Sequence, residues 1–472
     1  MKESCTPGLR FVLALTVGAG ALVLLAYGSL LGLGMLGWDG WPLVLAGTIE
    51  GPGDLFGAFG EELMNGRYPF GSFYRPLVHL SFGIDHALWG LDPWGYHLTD
   101  QLWLVANTVL LGCLAARLAP RRKILAAAIA GTLFALHPVQ LELLPVAPRR
   151  ADAMALAFVL ATLHALPGGR PTAARGLVLA LLGFCACASK ETGVIVAPLA
   201  IVAARWVDDL GSGAEETWSG ALSRSAPVLA GVAIYAVART AVLGGIGGHT
   251  GTPMAETGIL ERWNDLVQGA LVPRSLPGLG STAAVLLSGL ALVGGGLAAT
   301  PDRRTRALVV AFMLAVLAIT GLADRSHEWY AMLFTVPLTL LAGTAVAARG
   351  GVVLGLVLLV GGSWIRATPL IHSPTSLLAA GARADSLVSS LEEQLGEAAA
   401  GSTATIDPWI PMLQPAPDGV RALHVAYDYT VAAFVEARWP GAQVSVSIGP
   451  PLGGGGQKPG AVHIRLVPPR MP

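Results

Sequence analysis

From Arg121 to Arg150 the chain reads RRKILAAAIAGTLFALHPVQLELLPVAPRR. Three cations, Arg121, Arg122 and Lys123, open the stretch, and an apolar run, Ile124–Pro145, follows them. That run is long enough to cross a hydrocarbon core of about 30 Å, which takes roughly 20 residues. It finishes among polar groups of both signs: His137, Glu142, Arg149, Arg150 and, just beyond, Asp152. A segment that is basic at one end and chemically mixed at the other reads as a membrane span entered from the cytoplasm.

The rest of the chain agrees with that reading. It has 472 residues, is 53% hydrophobic and only 13% charged, and its mean hydropathy is +0.61. Soluble domains are about 25% charged and less apolar, so the composition is that of an integral membrane protein. A net charge of zero argues against nucleic acid as a partner. The four cysteines, Cys5, Cys113, Cys185 and Cys187, show no zinc or disulfide spacing. The apolar stretch Phe11–Leu36 is too long for the core of a signal peptide and is read as a retained helix.

Further runs long enough to span are Phe11–Leu36, Leu98–Leu118, Ala153–Leu166, Gly176–Ala188, Val194–Ala204, Ala226–Leu243, Thr282–Ala299, Ala307–Leu322, Ala331–Ala347 and Gly351–Ser363. With Ile124–Pro145 they make about eleven. Gly176–Ala188 and Val194–Ala204 are short and meet at ASKETG with no real loop, which predicts broken or re-entrant helices. Irregular backbone at membrane depth is tolerated where it lines a protein cavity.

Lys and Arg mark alternate loops: Arg121 to Lys123, Arg170 with Arg175, Arg205 with Arg224, Arg303 to Arg306, and Arg349. These loops are assigned to the cytoplasm, together with Lys2 and Arg10. The opposite face then carries a long first loop, Gly37 to Tyr96, and everything after Ser363. It also gathers His137 and Glu142, then Arg149, Arg150 and Asp152, then Lys190 and Glu191, and finally Asp324, Arg325, His327 and Glu328. Arg239 lies within a span, some two turns short of its outer end. Ionisable groups at membrane depth are costly and mark a pathway or a site. Their collection on one side predicts chemistry on something polar at the outer leaflet.

Within the first loop, Gly53–Gly66 places Leu55, Phe56, Phe59, Leu63 and Met64 on one face at helical spacing, and Pro76–Trp89 forms a second amphipathic piece. Both are expected along the membrane interface, with Trp89 and Trp94 in the headgroup belt. From about Thr368 onward the chain changes character. Ala384–Ala398 and Val420–Ala437 read as helices, and Val444–Ile448 and Val462–Val467 alternate as strands do. The expected architecture is a polytopic α-helical membrane domain over 1–367 followed by a small extracytoplasmic α/β domain over 368–472. The glycine-rich GPPLGGGGQKPG matches no phosphate-binding fingerprint, because no helix follows it.

The stretch FYRPLVHLSFGIDHALWGLDPWGYHLTD, Phe73 to Asp100, resembles the corresponding part of the transmembrane, tetratricopeptide-containing O-mannosyltransferases and their bacterial relatives, which are GT-C glycosyltransferases. The resemblance continues in FALHPVQLELLPVAPRRADAMALAF and ASKETGVIVAPL, and more weakly in AIYAVARTAVLGG and ADRSHEWYAMLFTVPL. It runs in consistent order over most of residues 30–345, while the C-terminal part does not resemble tetratricopeptide repeats. It implies a GT-C-like polytopic enzyme of the cell inner membrane, taking a sugar, mannose above all, from a polyprenyl-phosphate carrier and passing it to a protein or glycan acceptor. In the family an acidic pair follows the first helix, and one acid is thought to act as general base. Trp38-Asp39-Gly40 stands at that place, with the first acid kept as Asp39 and glycine in place of the second. Leu104 stands where relatives tend to have histidine.

Displacing a polyprenyl phosphate from an anomeric carbon requires an acceptor hydroxyl that loses its proton as it attacks. Asp39 is the candidate base, and one acid with an in-line displacement predicts inversion. The departing phosphate gains charge, which fixed cations stabilise; arginine forks match its oxygens. The candidates are Arg149, Arg150, Lys190, Arg239 and Arg325. Arg75, His97, His137, Glu142 and Glu191 are expected in support: Arg75 at the turn before Pro76, His97 at the start of the second span, and Glu191 with Lys190 as an ion pair across the short helices. A divalent metal stays open as a cofactor, although His137 and Glu142 show no third ligand. The competing readings are a relative that binds lipid-linked sugar or a partner without transferring, and a transporter. Against the transporter stand the one-sided polar groups and the lack of an inverted repeat.

Overall fold

The computed structural model describes residues 8–37, 39–68, 71–166, 171–206, 217–250, 258–271, 290, 293–298, 300, 302–323, 328–349, 377–395, 403–406, 428–439, 443–448 and 462–467. Five helices among them are long and apolar enough to cross a membrane: Leu9–Gly32 with its 3-10 extension, Pro93–Leu118, Trp218–Leu243, Arg303–Leu322 and Ala331–Ala348. Lys123–Ala135 and Ala173–Ser189 are shorter apolar helices. The protein thus has multi-pass membrane character. The expected spans Thr282–Ala299, in most of its length, and Gly351–Ser363 lie outside the described residues.

The chain divides into two compact units. One comprises Met1–Gly28, Gln101–Leu143 and Ala151–Ala367, and the other Ser29–Asp100, Leu144–Arg150 and Thr368–Pro472.

In the first unit, small residues let helices approach closely. Helix Ala173–Ser189 lies along helix Trp218–Leu243, where a Cβ on Gly231 would collide with the carbonyl of Ala180. Close backbone approach of this kind replaces the hydrophobic drive that lipid cannot supply between helices. Helix Lys123–Ala135 packs on Ala331–Arg349 through Ile129, Leu133, Ala342 and Val346. Side-chain hydrogen bonds across helices add to this: Tyr27 Oη donates to the Ala135 carbonyl at 2.8 Å, and Asn107 Nδ2 to Ala153 at 2.8 Å.

The expected span Ile124–Pro145 is interrupted. Its helix stops at Ala135, a single turn forms at Gln140–Leu143, and Pro138 lies between them. Proline restricts the residue before it to extended backbone and lacks the N–H that a continuing helix needs. The break expected at ASKETG is present. Lys190 is extended, with φ −159° and ψ 148°, between helix Ala173–Ser189 and the 3-10 turn Glu191–Ile195, from which Val196–Trp206 continues. Helix Trp218–Leu243 ends at Leu243, so Arg239 sits about one turn from its end rather than two.

In the second unit, helix Gly40–Gly47 packs on Pro76–Trp89, the helix expected from its sequence. The two meet at Gly47 and Gly83: a Cβ on Gly47 would lie 2.8 Å from the Gly83 nitrogen. Gly53–Gly66 is not one amphipathic helix. Only Pro52–Gly57 is helical, and Met64 and Asn65 take left-handed backbone at φ 57° and 52° inside the 3-10 turn Leu63–Gly66. Leu55 and Phe56 are exposed, whereas Leu63 and Met64 are buried. Four glycines in that stretch lower the helical propensity by about 1 kcal/mol each relative to alanine.

The described C-terminal elements are α/β in content and fall in this same unit. Helices Leu377–Leu395 and Asp428–Arg438 accompany an antiparallel sheet in which Val462–Val467 lies between Thr403–Ile406 and Gln443–Ile448. The register sets Val462 opposite both Ile406 and Ile448. Gly381 of the first helix abuts Leu33, where its Cβ would fall within 2.5 Å of Leu33 Cδ2. The second helix abuts Gly40–Gly47, with the rings of Trp41 and Phe434 edge to face at 4.8 Å.

Candidate functional site

Asp39 precedes helix Gly40–Gly47 at its N-cap, and its carbonyl accepts the first helical bond, from Leu43 N–H at 3.0 Å. Aspartate here would ordinarily turn its side chain back onto the first free N–H groups. It does not, and the helix has no side-chain cap. The carboxylate instead accepts a hydrogen bond from the Tyr429 hydroxyl, Oη to Oδ1 at 3.0 Å, across a separation of 390 residues. Asp39 keeps part of its surface exposed, but its carboxyl group is set among protein atoms. Burial raises its pKa from 3.8 to about 7, although the Tyr429 hydrogen bond and the charge of Arg75 both pull the other way. Near neutral pH this group is poised to accept a proton and to release it.

Arg75 stands before helix Pro76–Trp89, its guanidinium over the Phe73 ring at 4.7 Å. Arg149, in the short turn Ala147–Arg149 beside helix Gly40–Gly47, is 7% exposed. His79, on helix Pro76–Trp89, uses Nε2 to accept Met64 N–H at 2.8 Å and so fixes the left-handed turn. Burial lowers its pKa to about 4, so it is neutral at physiological pH. His97 lies inside helix Pro93–Leu118 and reaches the Gly34 carbonyl at 3.4 Å, which ties the chain after the first helix to the second.

Arg150 is held within the protein. Its side chain is fully buried, and its nitrogens are directed at protein acceptors. Nε bonds Asp100 at 2.7 Å, Nη1 bonds Asp85 and Ser81, and Nη2 bonds the Tyr96 carbonyl at 2.8 Å. The guanidinium also lies over Phe82 at 4.6 Å, and Asp85 takes a further bond from Thr99 at 2.7 Å. Four of the five Arg150 N–H groups are thus taken by protein acceptors. Arg150 holds three segments of this unit together. Asp85 and Asp100 were not singled out in the sequence. Two carboxylates within apolar helices need a cation, and that was the signal for them.

In the first unit, Lys190 and Glu191 each pair with a residue distant in sequence. Lys190 Nζ bonds Asp152 at 2.5 Å and lies over the Tyr330 ring at 4.7 Å. Glu191 accepts from Arg239 at 2.8 Å, and Arg239 also bonds Tyr235 and the Ile246 carbonyl. The extended backbone at Lys190 turns the two side chains to different partners. His137 donates through Nε2 to the Ala270 carbonyl at 2.9 Å and accepts Val139 N–H at Nδ1, so both ring nitrogens are used within the protein. Glu142 lies on the short helix Gln140–Leu143, partly buried. Among the described residues no group of three metal-ligating side chains comes together. Trp38, Arg325 and His327 lie outside the described residues.

The glycine beside Asp39 has a local cause. Gly40 is buried, and a Cβ there would lie 2.6 Å from Met35 Cγ. A second acid at this position requires Met35 to move. Gly40→Asp is therefore expected to lower stability by about 1–3 kcal/mol, the usual cost of overfilling a packed site. Thermal unfolding in detergent would measure it, and an unchanged midpoint would show that Met35 gives way freely.

These features define a multi-pass helical membrane protein with an acid of raised pKa next to its first helix. No family model matches the chain. Curated relatives carry the comparison further. The chain is 36% identical over 142 residues to protein O-mannosyl-transferase TMTC2 of Homo sapiens, a match covering 27% of this chain and 16% of that protein. It is 35% identical over 141 residues to TMTC1 of Mus musculus, covering 27% and 15%. It is 36% identical over 91 residues to Tmtc1 of Drosophila melanogaster, covering 19% and 10%. The likeness to tetratricopeptide-containing O-mannosyltransferases read from the sequence is borne out. It extends over a shorter stretch than most of 30–345, and it spans about a sixth of those relatives' length. Among solved structures, ArnT from Cupriavidus metallidurans in the apo state superposes with a TM-score of 0.49 at 15% identity, covering 81% of this chain and 70% of that one. The same protein bound to undecaprenyl phosphate gives 0.46 at 13%, covering 82% and 72%.

Proposed function

We propose that the chain is a GT-C-type glycosyltransferase. It moves a sugar, mannose in the first instance, from a polyprenyl-phosphate carrier to a hydroxyl of a protein or envelope glycan at the outer face of the inner membrane. The observation that carries this reading is Asp39. One of its carboxylate oxygens is held by Tyr429, its pKa is near 7, and it stands where the O-mannosyltransferases keep an acid. The similarity to those enzymes over 142 residues supports the class.

Asp39, as the ionised carboxylate, takes the proton of the acceptor hydroxyl as its oxygen bonds the anomeric carbon. The bond from that carbon to the phosphate oxygen breaks, and the polyprenyl phosphate leaves with the electron pair. The stabilising cations are sought first at Arg75 and Arg149, which belong to the same unit as Asp39. Lys190 and Arg239 already face Asp152 and Glu191, so a phosphate reaching either would share it with a carboxylate. A second reading, a protein that binds lipid-linked sugar without transferring it, is favoured by Gly40 in the place of the second acid.

The test is reconstitution of the chain in lipid nanodiscs with a labelled polyprenyl-phosphate hexose panel and hydroxyl acceptors. Release of polyprenyl phosphate together with labelled acceptor supports transfer. Saturable donor binding with no product supports the second reading, and neither binding nor product overturns both.

A further inference from the structure

We infer that Tyr429, from the C-terminal helix Asp428–Arg438, is a positioning residue for the general base: it holds Asp39 Oδ1 and leaves Oδ2 to meet the acceptor. This rests on the proposed role of Asp39 and extends it to a part of the chain that the resemblance to O-mannosyltransferases does not reach. On this account the C-terminal segment completes the catalytic apparatus of the first loop.

The geometry supports this in three ways. First, among the described residues Tyr429 supplies the hydrogen bond that Asp39 accepts, at Oδ1, and Oδ2 has no hydrogen-bond partner. A base in acid–base catalysis needs one oxygen fixed and one open. Second, Asp39 sits at an N-cap yet its side chain makes no cap bond to its own helix, so the hydroxyl replaces the local interaction that would otherwise turn the carboxylate inward. Third, Tyr429 is delivered by a helix anchored at other points. Trp41 meets Phe434 at 4.8 Å, Arg67 pairs with Glu436 at 2.9 Å, and Thr430, Val431 and Val435 are buried. These contacts anchor the helix at points other than the hydroxyl.

A hydrogen bond to the charged form of a carboxylate favours that form. Several titratable groups lie on the elements packed against helix Gly40–Gly47. They are Arg75, His79, Asp85 and His86 at or in Pro76–Trp89, Arg149 in Ala147–Arg149, and Tyr429, Glu436 and Arg438 on the C-terminal helix. Of these, Arg75 and Tyr429 act on Asp39 in the direction of ionisation. Removing the hydroxyl leaves Arg75 alone against burial.

The test is Tyr429→Phe in the full chain, with kcat and kcat/KM measured across pH 5–9. The expected result is an acidic limb displaced to higher pH. At pH 6 the rate falls about tenfold for each unit of displacement, and most of it returns at pH 9. A curve lowered equally at every pH, or one superimposed on the native curve, overturns the proposal. A second readout needs no turnover. The difference in thermal midpoint between the native chain and Asp39→Asn, followed against pH, reports ionisation of Asp39, and the same difference is taken in the Tyr429→Phe background. If the native chain transfers nothing but that transition moves to higher pH without the hydroxyl, the transfer reading fails and the hold on Asp39 stands. If the transition does not move, the hold itself is refuted.

Discussion

Asp39→Asn is expected to reduce sugar transfer by about 10²–10⁴-fold, the usual contribution of a positioned general base, while donor binding and the fold persist. The amide is nearly isosteric and can still accept the Tyr429 hydrogen bond, but it cannot take the acceptor proton. Linkage adds a stability signature. The folded-state pKa of Asp39 is about 7 against 3.8 for the free group, so between those values the folded protein holds the proton more tightly than the unfolded chain. The ionised carboxylate therefore costs stability increasingly as pH rises through that window, fully so above pH 7, and costs nothing below about pH 4. Asp39→Asn should thus unfold no earlier than the native chain at pH 8, with the gap closing in acid. Undiminished turnover in purified Asp39→Asn, assayed at saturating donor, would remove Asp39 from the mechanism.

The second large effect is on folding. Arg150→Met leaves Asp85 and Asp100 buried opposite no cation. Breaking one side of a buried ion pair costs on the order of 3–5 kcal/mol, a large share of the 5–15 kcal/mol that a domain has. The expected outcome is a chain that elutes as aggregate in size-exclusion chromatography at neutral pH. Adding Asp85→Asn and Asp100→Leu should recover much of the monodisperse peak, because an uncharged cluster has no uncompensated charge. A well-folded, monodisperse Arg150→Met would show that Asp85 and Asp100 do not depend on the guanidinium for the fold.

The sequence carried what short-range chemistry decides. Helix Pro76–Trp89 was legible from a proline at its first position and the apolar spacing behind it, and the central strand Val462–Val467 from its alternation. The interruption at Lys190 followed from two apolar runs too short to span. Interactions between distant segments were hidden. Nothing near Asp39 announces Tyr429, which lies 390 residues away, and nothing in 368–472 says that this segment joins 29–100 in one unit. Arg150 was recognised as costly, but its two carboxylates were hidden because they lie in helices 50 and 65 residues back. Glu191 and Lys190 are sequence neighbours, yet one extended residue sends their side chains to Arg239 and Asp152. At Gly40, where the resemblance expects a second acid, a side chain would meet Met35, a contact the sequence did not show.

A single catalytic carboxylate acting on the acceptor, with the phosphate leaving in line, has one stereochemical consequence. The configuration at the anomeric carbon of the product, read by NMR from its one-bond C–H coupling after transfer from a polyprenyl-phosphate sugar of defined anomer, tests it most directly. The account predicts inversion at that carbon. A product that keeps the donor's configuration would require a covalent sugar–enzyme intermediate or a second nucleophile, and would contradict the assignment of Asp39 as the base.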